Sequence, residues 1–309
     1  MPAALSDEEF WQLTQTLSEP AGQFTVSENL LSNEPRLSEN AGWLRSAGGV
    51  YLGVGPEQNF TYIARVRPRI AFIVDIRREN RNLHLLYKAL FELSSDRMDF
   101  VSRLFSRPRP SGLGTGGSAN EIFDRVDRVP ASRELYDSNL ANVRERLVTR
   151  RRLPLSREDL DDISRIFTAF SVDGPAIRFW GSRNVDAVQP TYRELMTTVD
   201  ASAEARSFLA TDEAFTFVKD LQSRNLIVPI VGDFAGTSAL RGIGEYSRRH
   251  ADAISAFYAS NVGVYLTNQQ TRGFCGNLAS LPTTSATWFI EREAVRPVSA
   301  KLSGCPSNR

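Results

Sequence analysis

The pattern of apolar and polar positions predicts strands and helices that alternate at the two ends of the chain. Short apolar runs predict strands at residues 50–52, 70–76, 226–231, 253–259 and 287–290. Apolar residues at helical spacing follow three of these runs, over residues 58–66, 78–93 and 236–250. The run at 70–76 is almost wholly apolar, as expected of a parallel strand that helices cover on both faces. The pattern predicts an α/β fold with a doubly wound, mostly parallel sheet.

Between the two ends of the chain, over residues 94–225, the pattern becomes mainly helical. The sequence therefore predicts four segments: an N-terminal helix and irregular arm (1–47), the first part of a nucleotide-binding α/β domain (48–93), a large helical insertion (94–225) and the second part of that domain (226–309). Ser6 and Glu9 predict a capping box at the start of the first helix, over residues 6–17.

Residues 48–78 read as strand, loop, helix and strand. The first strand ends at Gly53-Val54-Gly55, where the absence of Cβ atoms permits a sharp turn and the close approach of a ligand. Asp75 ends the second strand, about twenty residues after Gly55. In doubly wound sheets such a loop faces the polar middle of a nucleotide and such an acid faces ribose hydroxyls. The unit predicts a nucleotide-type ligand; the alternative is a purely structural turn.

This unit resembles motifs I and II of class I S-adenosylmethionine-dependent methyltransferases. It resembles more closely, and over most of the chain, a family of uncharacterised bacterial proteins that carry nearly the same VYLGVGPEQNFTYI and AFIVDIRR blocks. The methyltransferase pattern has an acid two positions before the first glycine and a third glycine after the second, and here Tyr51 and Glu57 hold those places. We count Glu57, with both glycines and Asp75, among the cofactor-binding residues.

The resemblance implies a Rossmann-like, methyltransferase-like fold and S-adenosylmethionine as cofactor. It implies that Asp233, after the third strand, meets the adenine amino group. Asn261, after the strand at 253–259, stands where that family carries its catalytic loop, although the usual prolines are missing. A turn or helix cap is the alternative for Asn261. The polar C-terminal residues, about fifteen, are expected to be too short for the family's terminal hairpin.

The resulting hypothesis is an S-adenosylmethionine-binding protein and methyltransferase of unknown acceptor. One alternative is an NAD(P)-dependent oxidoreductase, in which Arg77 and Arg78 would meet a 2′-phosphate, although Glu57 does not supply the third close-packing glycine. A solvated helix start is the other interpretation of these two arginines. The second alternative function is a non-catalytic nucleoside-binding or interaction protein. His84, on the helix at 78–93, is interpreted as a satisfied surface or boundary residue.

The insertion carries two further candidates. The loop at 107–118 has four glycines beside arginines and is interpreted as a mobile lid rather than an anion-binding loop, because no strand precedes it. Phe179 and Trp180 lie between Arg178 and Arg183 and can stack on a flat or anionic substrate; the alternative is a hairpin with a buried aromatic pair.

Composition narrows the function classes. The chain has 309 residues and a formal net charge of +1, so it has no broad positive field for nucleic acid. No run reaches the roughly twenty apolar residues of a membrane span, and the N-terminus does not resemble a secretory signal, so a cytoplasmic protein is expected. Cys275 and Cys305 are too few for a disulfide framework, and the cysteines and two histidines lack zinc-ligand spacing.

Overall fold

Six strands form one sheet in the computed structural model, which describes residues 1–24, 29–111, 116–179 and 189–306. In chain order they are β1 (Val50–Gly53), β2 (Ile70–Asp75), β3 (Ile227–Val231), β4 (Ile254–Ser260), β5 (Thr283–Glu291) and β6 (Ala294–Pro297). Their order across the sheet is β3-β2-β1-β4-β5-β6, with β6 antiparallel to β5 and all other neighbours parallel. The predicted α/β class with a mostly parallel sheet is confirmed.

Helices precede, follow and separate the strands. In chain order the described α-helices are α1 (Asp7–Leu17), α2 (Leu37–Trp43), α3 (Gln58–Val66), α4 (Arg78–Leu93), α5 (Arg97–Leu104), α6 (Ala119–Asp127), α7 (Arg133–Arg144), α8 (Arg157–Asp173), α9 (Tyr192–Thr197), α10 (Asp212–Ser223), α11 (Ala239–Arg249), α12 (Asn268–Ser280) and α13 (Val298–Ser303). A π-helical turn, Glu145–Arg150, extends α7.

Local signals fix several of these elements. Every residue of β1, β2 and β3 is buried, which explains their unbroken apolar runs. The predicted bounds of α3 and α4 agree with the structure. At the start of α1, Ser6 Oγ accepts from the Glu9 N–H at 3.1 Å and the Glu9 carboxylate accepts from the Ser6 N–H at 2.7 Å, so the predicted capping box is present.

Helices α5 to α10 lie between α4 and β3 and share a core with the sheet. The Phe60 ring of α3 packs edge-on against Phe91 of α4 at 5.2 Å and against Phe208 at 5.4 Å. Phe91 in turn contacts Phe100 of α5 at 4.6 Å. Buried apolar residues therefore form one continuous cluster from the sheet into these helices. The segment boundaries given above stay predictions.

Two expectations for the chain ends were wrong. The arm predicted to be irregular contains α2. The C-terminal residues, expected to be too short for a hairpin, form the antiparallel β5–β6 pair followed by α13. Strand β6 is an edge strand whose side chains are exposed or half-buried, so it leaves no apolar run in the sequence.

A single disulfide joins Cys275 of α12 to Cys305, just beyond α13, with a Cα–Cα distance of 5.8 Å. It attaches the C-terminal helix to α12. Disulfides persist mainly in oxidising compartments. The structure does not test the expected cytoplasmic location, which stays a prediction. Among the helices described, none is long and apolar enough to cross a membrane.

Candidate functional site

A cavity of about 360 Å³ opens at the carboxyl ends of β1 to β4. It lies where the strand order reverses, since β1 has β2 on one side and β4 on the other. In open parallel sheets ligands bind outside the carboxyl ends at this switch point. Residues of the N-terminal arm, among them Phe24 and Glu34, complete its wall.

Hydrogen bonds from one side chain hold the loop after β1. Asn59 Nδ2 donates to the carbonyl oxygens of Val54 at 2.9 Å, Gly55 at 3.1 Å and Pro56 at 2.8 Å. Because a trans peptide places its C=O and N–H on opposite sides, the Gly55 N–H is directed away from Asn59. Gly55 has a φ of +75°, a conformation that favours glycine, and it lines the cavity. A Cβ on Gly53 would lie 1.9 Å from Asn59 Oδ1, so this glycine serves loop packing.

Two titratable side chains lie beneath this loop and do not line the cavity. His84 is buried, its Nε2 lies 2.9 Å from the Gly55 carbonyl oxygen, and burial lowers its pKa to about 4. The ring is therefore neutral near pH 7, and Nε2 carries the proton that it donates. The Glu57 carboxyl is fully buried and both oxygens accept from the Ser32 N–H at 3.2 Å. Burial raises the pKa of Glu57 to about 8.

Asp75 lies at the cavity but is already engaged. Arg77 Nε donates to its Oδ1 at 2.9 Å, and a second guanidinium nitrogen donates to Oδ2 at 2.8 Å. Both side chains are buried and both residues line the cavity. A ligand at this edge therefore shares the Asp75 carboxylate with Arg77. Arg78 instead pairs with Asp159 of α8 at 2.9 Å, away from the cavity.

Asp233 follows β3 and lines the same cavity, half-buried. Its Oδ1 accepts from the Ala235 N–H at 2.8 Å. The Glu19 carboxylate, from the arm, accepts from the N–H groups of Asp233 at 2.9 Å, Ser238 at 2.7 Å and Ala239 at 3.0 Å. The arm thus supplies the cap of α11 and fixes the backbone that positions Asp233.

The chain leaves β4 through a strained residue. Ser260 has a φ of +48°, which is uncommon outside glycine, and Asn261 follows at the start of a 3-10 turn, Val262–Tyr265. The Asn261 side chain makes no capping hydrogen bond to that turn. Asn261 lines the cavity, as Ser260 does. Backbone strain is commonly kept at functional sites, where the surrounding structure maintains it.

Glu34 is a cavity residue that sequence reasoning missed. Its Oε1 accepts from the Tyr258 hydroxyl at 2.7 Å and from Ser260 Oγ at 2.5 Å. Gln58 Nε2 donates to the Tyr258 hydroxyl at 3.2 Å and to the Val54 carbonyl at 2.9 Å, which connects Glu34 to the glycine loop. Glu34 stands in a polar segment without periodicity, so no local signal identifies it.

Aromatic rings stand at the mouth of the cavity. Phe24 and Tyr265 both line it, and their rings pack edge to face with centroids 5.1 Å apart. Phe179 of the insertion also lines it, which brings the predicted aromatic segment to the site. Trp180 and Arg183 lie outside the described residues. Arg178 bridges to Thr191 in an antiparallel pair.

The arginines beside the predicted lid loop bind protein groups. Arg107 donates to the carbonyl oxygens of Val126 at 3.0 Å and Val129 at 3.1 Å, and Arg109 pairs with Asp96 at 2.6 Å. Residues 112–115 of that loop lie outside the described ranges, so its role as a lid stays a prediction. Within the described ranges no group of three or more His, Cys, Asp or Glu is arranged to hold a metal ion.

A family model described as "Domain of unknown function (DUF7790)" matches residues 30–294. The chain belongs to this family. No curated protein matches this chain. The DUF7790 segment contains the whole sheet except the last residues of β6, together with the glycine loop and Glu34.

Within the DUF7790 segment, the structure brings four of the expected site residues to one cavity. They are Gly55, Asp75, Asp233 and Asn261. Gly53 packs against Asn59, and Glu57 lies beneath the loop. The cavity therefore collects side chains and backbone from the ends of four strands, as a site for a ligand of several chemical parts would require.

Proposed function

We propose that this DUF7790 protein binds S-adenosylmethionine in the cavity at the ends of β1 to β4 and transfers its methyl group to an acceptor. The observation that carries the proposal is the convergence of the Gly55 loop, Asp75 and Asp233 at the reversal of strand order. The strand order β3-β2-β1-β4-β5 also supports a doubly wound, Rossmann-like fold of the methyltransferase type, because nucleotide-binding sheets use that order.

Each cavity residue has a role in this proposal. The Gly55 N–H and the glycine loop contact the polar middle of the cofactor. Asp75, held by Arg77, accepts from ribose hydroxyls, and Asp233 accepts from the adenine amino group. Asn261 orients the acceptor atom through its side-chain amide.

Methyl transfer needs little covalent chemistry from the protein. The acceptor's lone pair attacks the methyl carbon in line with the breaking carbon–sulfur bond, and the bonding pair leaves with sulfur to give a neutral thioether. The protein contributes position and a preorganised polar surrounding. Residues of the cavity therefore act by binding and orienting the two partners.

A non-catalytic nucleoside-binding role is the second candidate. It is favoured by Asn261 itself, because an amide neither takes up nor releases a proton near neutral pH. The cavity can then hold a nucleoside without promoting transfer.

The test is a calorimetric titration of the protein with S-adenosylmethionine, S-adenosylhomocysteine, NAD and NADP. We expect the two sulfur nucleosides to bind and the two dinucleotides not to bind. Preferential binding of NADP would instead support an oxidoreductase in which Arg77 meets the 2′-phosphate. Binding of both sulfur nucleosides without methyl transfer to any acceptor in a cell extract would favour the non-catalytic role.

A further inference from the structure

Glu34 is an incompletely bonded carboxyl in the wall of the cavity. It is 1% exposed, and its Oε1 accepts from the hydroxyls of Tyr258 and Ser260. Its Oε2 is buried and makes no hydrogen bond to any described residue. A buried carboxyl oxygen without a protein partner is unfavourable, so a ligand group that pairs with Oε2 would be stabilised at this wall of the cavity.

The charged and titratable groups around Glu34 do not neutralise it. Tyr258 of β4 and Tyr62 of α3 lie near Glu34, and burial first and the Glu34 carboxyl second raise the pKa of both tyrosines. Arg292 lowers the pKa of Glu34, Glu293 raises it, and both stand in the turn between β5 and β6. The Arg292 guanidinium makes a 3.3 Å hydrogen bond to the Asn33 carbonyl oxygen rather than to Glu34. Burial is the largest influence, and the pKa of Glu34 is raised overall.

Hydrogen bonds connect Glu34 to the glycine loop, which contacts the cofactor in the proposed function. Tyr258 links Glu34 to Gln58, and Gln58 reaches the Val54 carbonyl of the glycine loop. Gln58 Oε1 is also buried without a hydrogen-bond partner among the described residues. One carboxyl oxygen and one amide oxygen, both acceptors, therefore remain unpaired beside the loop.

We propose that Glu34 is the anionic anchor for a positively charged sulfonium or ammonium group of the ligand. This inference rests on the proposed function. It adds an assignment of which part of the ligand each end of the cavity recognises. Asp75 and Asp233 receive the nucleoside, and Glu34 receives the cationic end. Burial disfavours the charged form of Glu34, and an arriving cation stabilises the carboxylate, so binding lowers the pKa of Glu34 and releases protons to solvent at pH values between its pKa without ligand and its pKa with ligand.

The test compares two ligands that share the same nucleoside and sulfur atom. S-adenosylmethionine carries sulfonium and ammonium charges, whereas 5′-methylthioadenosine carries neither. Glu34→Gln keeps an oxygen that can accept from Tyr258 and Ser260 but removes the negative charge. We expect calorimetry to show S-adenosylmethionine affinity lowered about tenfold to hundredfold in this variant, and 5′-methylthioadenosine affinity unchanged within about twofold.

Glu293→Gln is the matched control, because it removes a neighbouring negative charge that does not line the cavity. It should leave both affinities unchanged within about twofold. A second measurement needs no variant. Titration of the wild-type protein at several pH values between about 5 and 8, in two buffers of different ionisation enthalpy, should show proton release with S-adenosylmethionine and none with 5′-methylthioadenosine.

The outcomes separate this inference from the proposed function. Equal weakening of both ligands in Glu34→Gln, no weakening of either, or no proton release from the wild-type protein would overturn the role of Glu34 and leave the proposed function standing. If neither ligand binds the wild-type protein, the proposed function fails and this inference fails with it.

Discussion

Replacing Glu57 by glutamine should change how the stability of the protein depends on pH. The Glu57 carboxyl is fully buried beneath the glycine loop, and within the described part of the chain it accepts from the Ser32 backbone and its own amide. Burial raises its pKa from 4.5 to about 8. The neutral acid is therefore the form that the folded protein prefers near pH 7, and glutamine is a neutral side chain of nearly the same shape.

The magnitude follows from the shift in pKa. Between pH 4.5 and about 8 the folded protein holds the Glu57 proton more tightly than the unfolded chain does. This contribution to stability is complete below the unfolded pKa and is lost as pH rises through the folded pKa. One pKa unit corresponds to about 1.4 kcal/mol, so the loss across the window amounts to several kcal/mol, at most about 5 kcal/mol.

Urea unfolding of both proteins at intervals from about pH 4 to pH 9 measures this effect. We expect the wild-type free energy of unfolding, minus that of Glu57→Gln, to fall by several kcal/mol as pH rises. Burial also raises the pKa of Glu34, but Glu34 is present in both proteins, so its contribution cancels when the two free energies of unfolding are subtracted. The same substitution at exposed Glu8 is the control and should give a nearly constant difference. A constant difference for Glu57→Gln would refute the burial of this carboxyl beneath the loop.

Three further predictions test loop packing, the cavity and the C-terminal disulfide. Gly53→Ala should destabilise the protein by about 1–3 kcal/mol in urea unfolding, because its Cβ would lie 1.9 Å from Asn59 Oδ1. Gly276→Ala, where a Cβ meets no atom within 4 Å, is its matched control, and an equal loss in both would contradict the packing. Asp233→Ala should weaken S-adenosylmethionine binding by about 1–3 kcal/mol in calorimetry, whereas Asn261→Ala should leave it unchanged. Equal losses of affinity in the two variants would show that Asn261 contacts the ligand and takes no part in the chemistry. Cys305→Ser should lower the stability of the oxidised protein by about 3 kcal/mol in urea unfolding, since the disulfide closes a segment with a sequence separation of 30. A reductant should lower wild-type stability equally and leave the variant unaffected; no effect on either would mean that the disulfide does not form in solution.

Sequence patterns predicted the elements whose signals are local. The strand run at 70–76 and the helices α3 and α4 follow from apolar spacing and from Pro56 and Pro68 beside α3. The methyltransferase resemblance also implied that Asp75 and Asp233 share one ligand pocket. Both residues do line one cavity.

What the sequence did not predict depends on tertiary contacts. Glu19 and Glu34 belong to a polar arm, and only the folded sheet shows that they reach α11 and the cavity. Glu57 was placed at the ligand because it holds the third-glycine place of the loop motif, yet packing encloses it beneath the loop. Strand β6 forms an exposed edge without an apolar run, so pairing with β5 rather than composition defines it.

The central claim is that an adenosine-containing cofactor occupies the cavity at the ends of β1 to β4. The most direct measurement is a crystal structure of the protein with S-adenosylhomocysteine. The account predicts density for the ligand between the Gly55 loop and Asp233, with its amino group nearest Glu34. Density for the ligand at any other place, or none in crystals grown at saturating ligand with the cavity open to solvent, would contradict it.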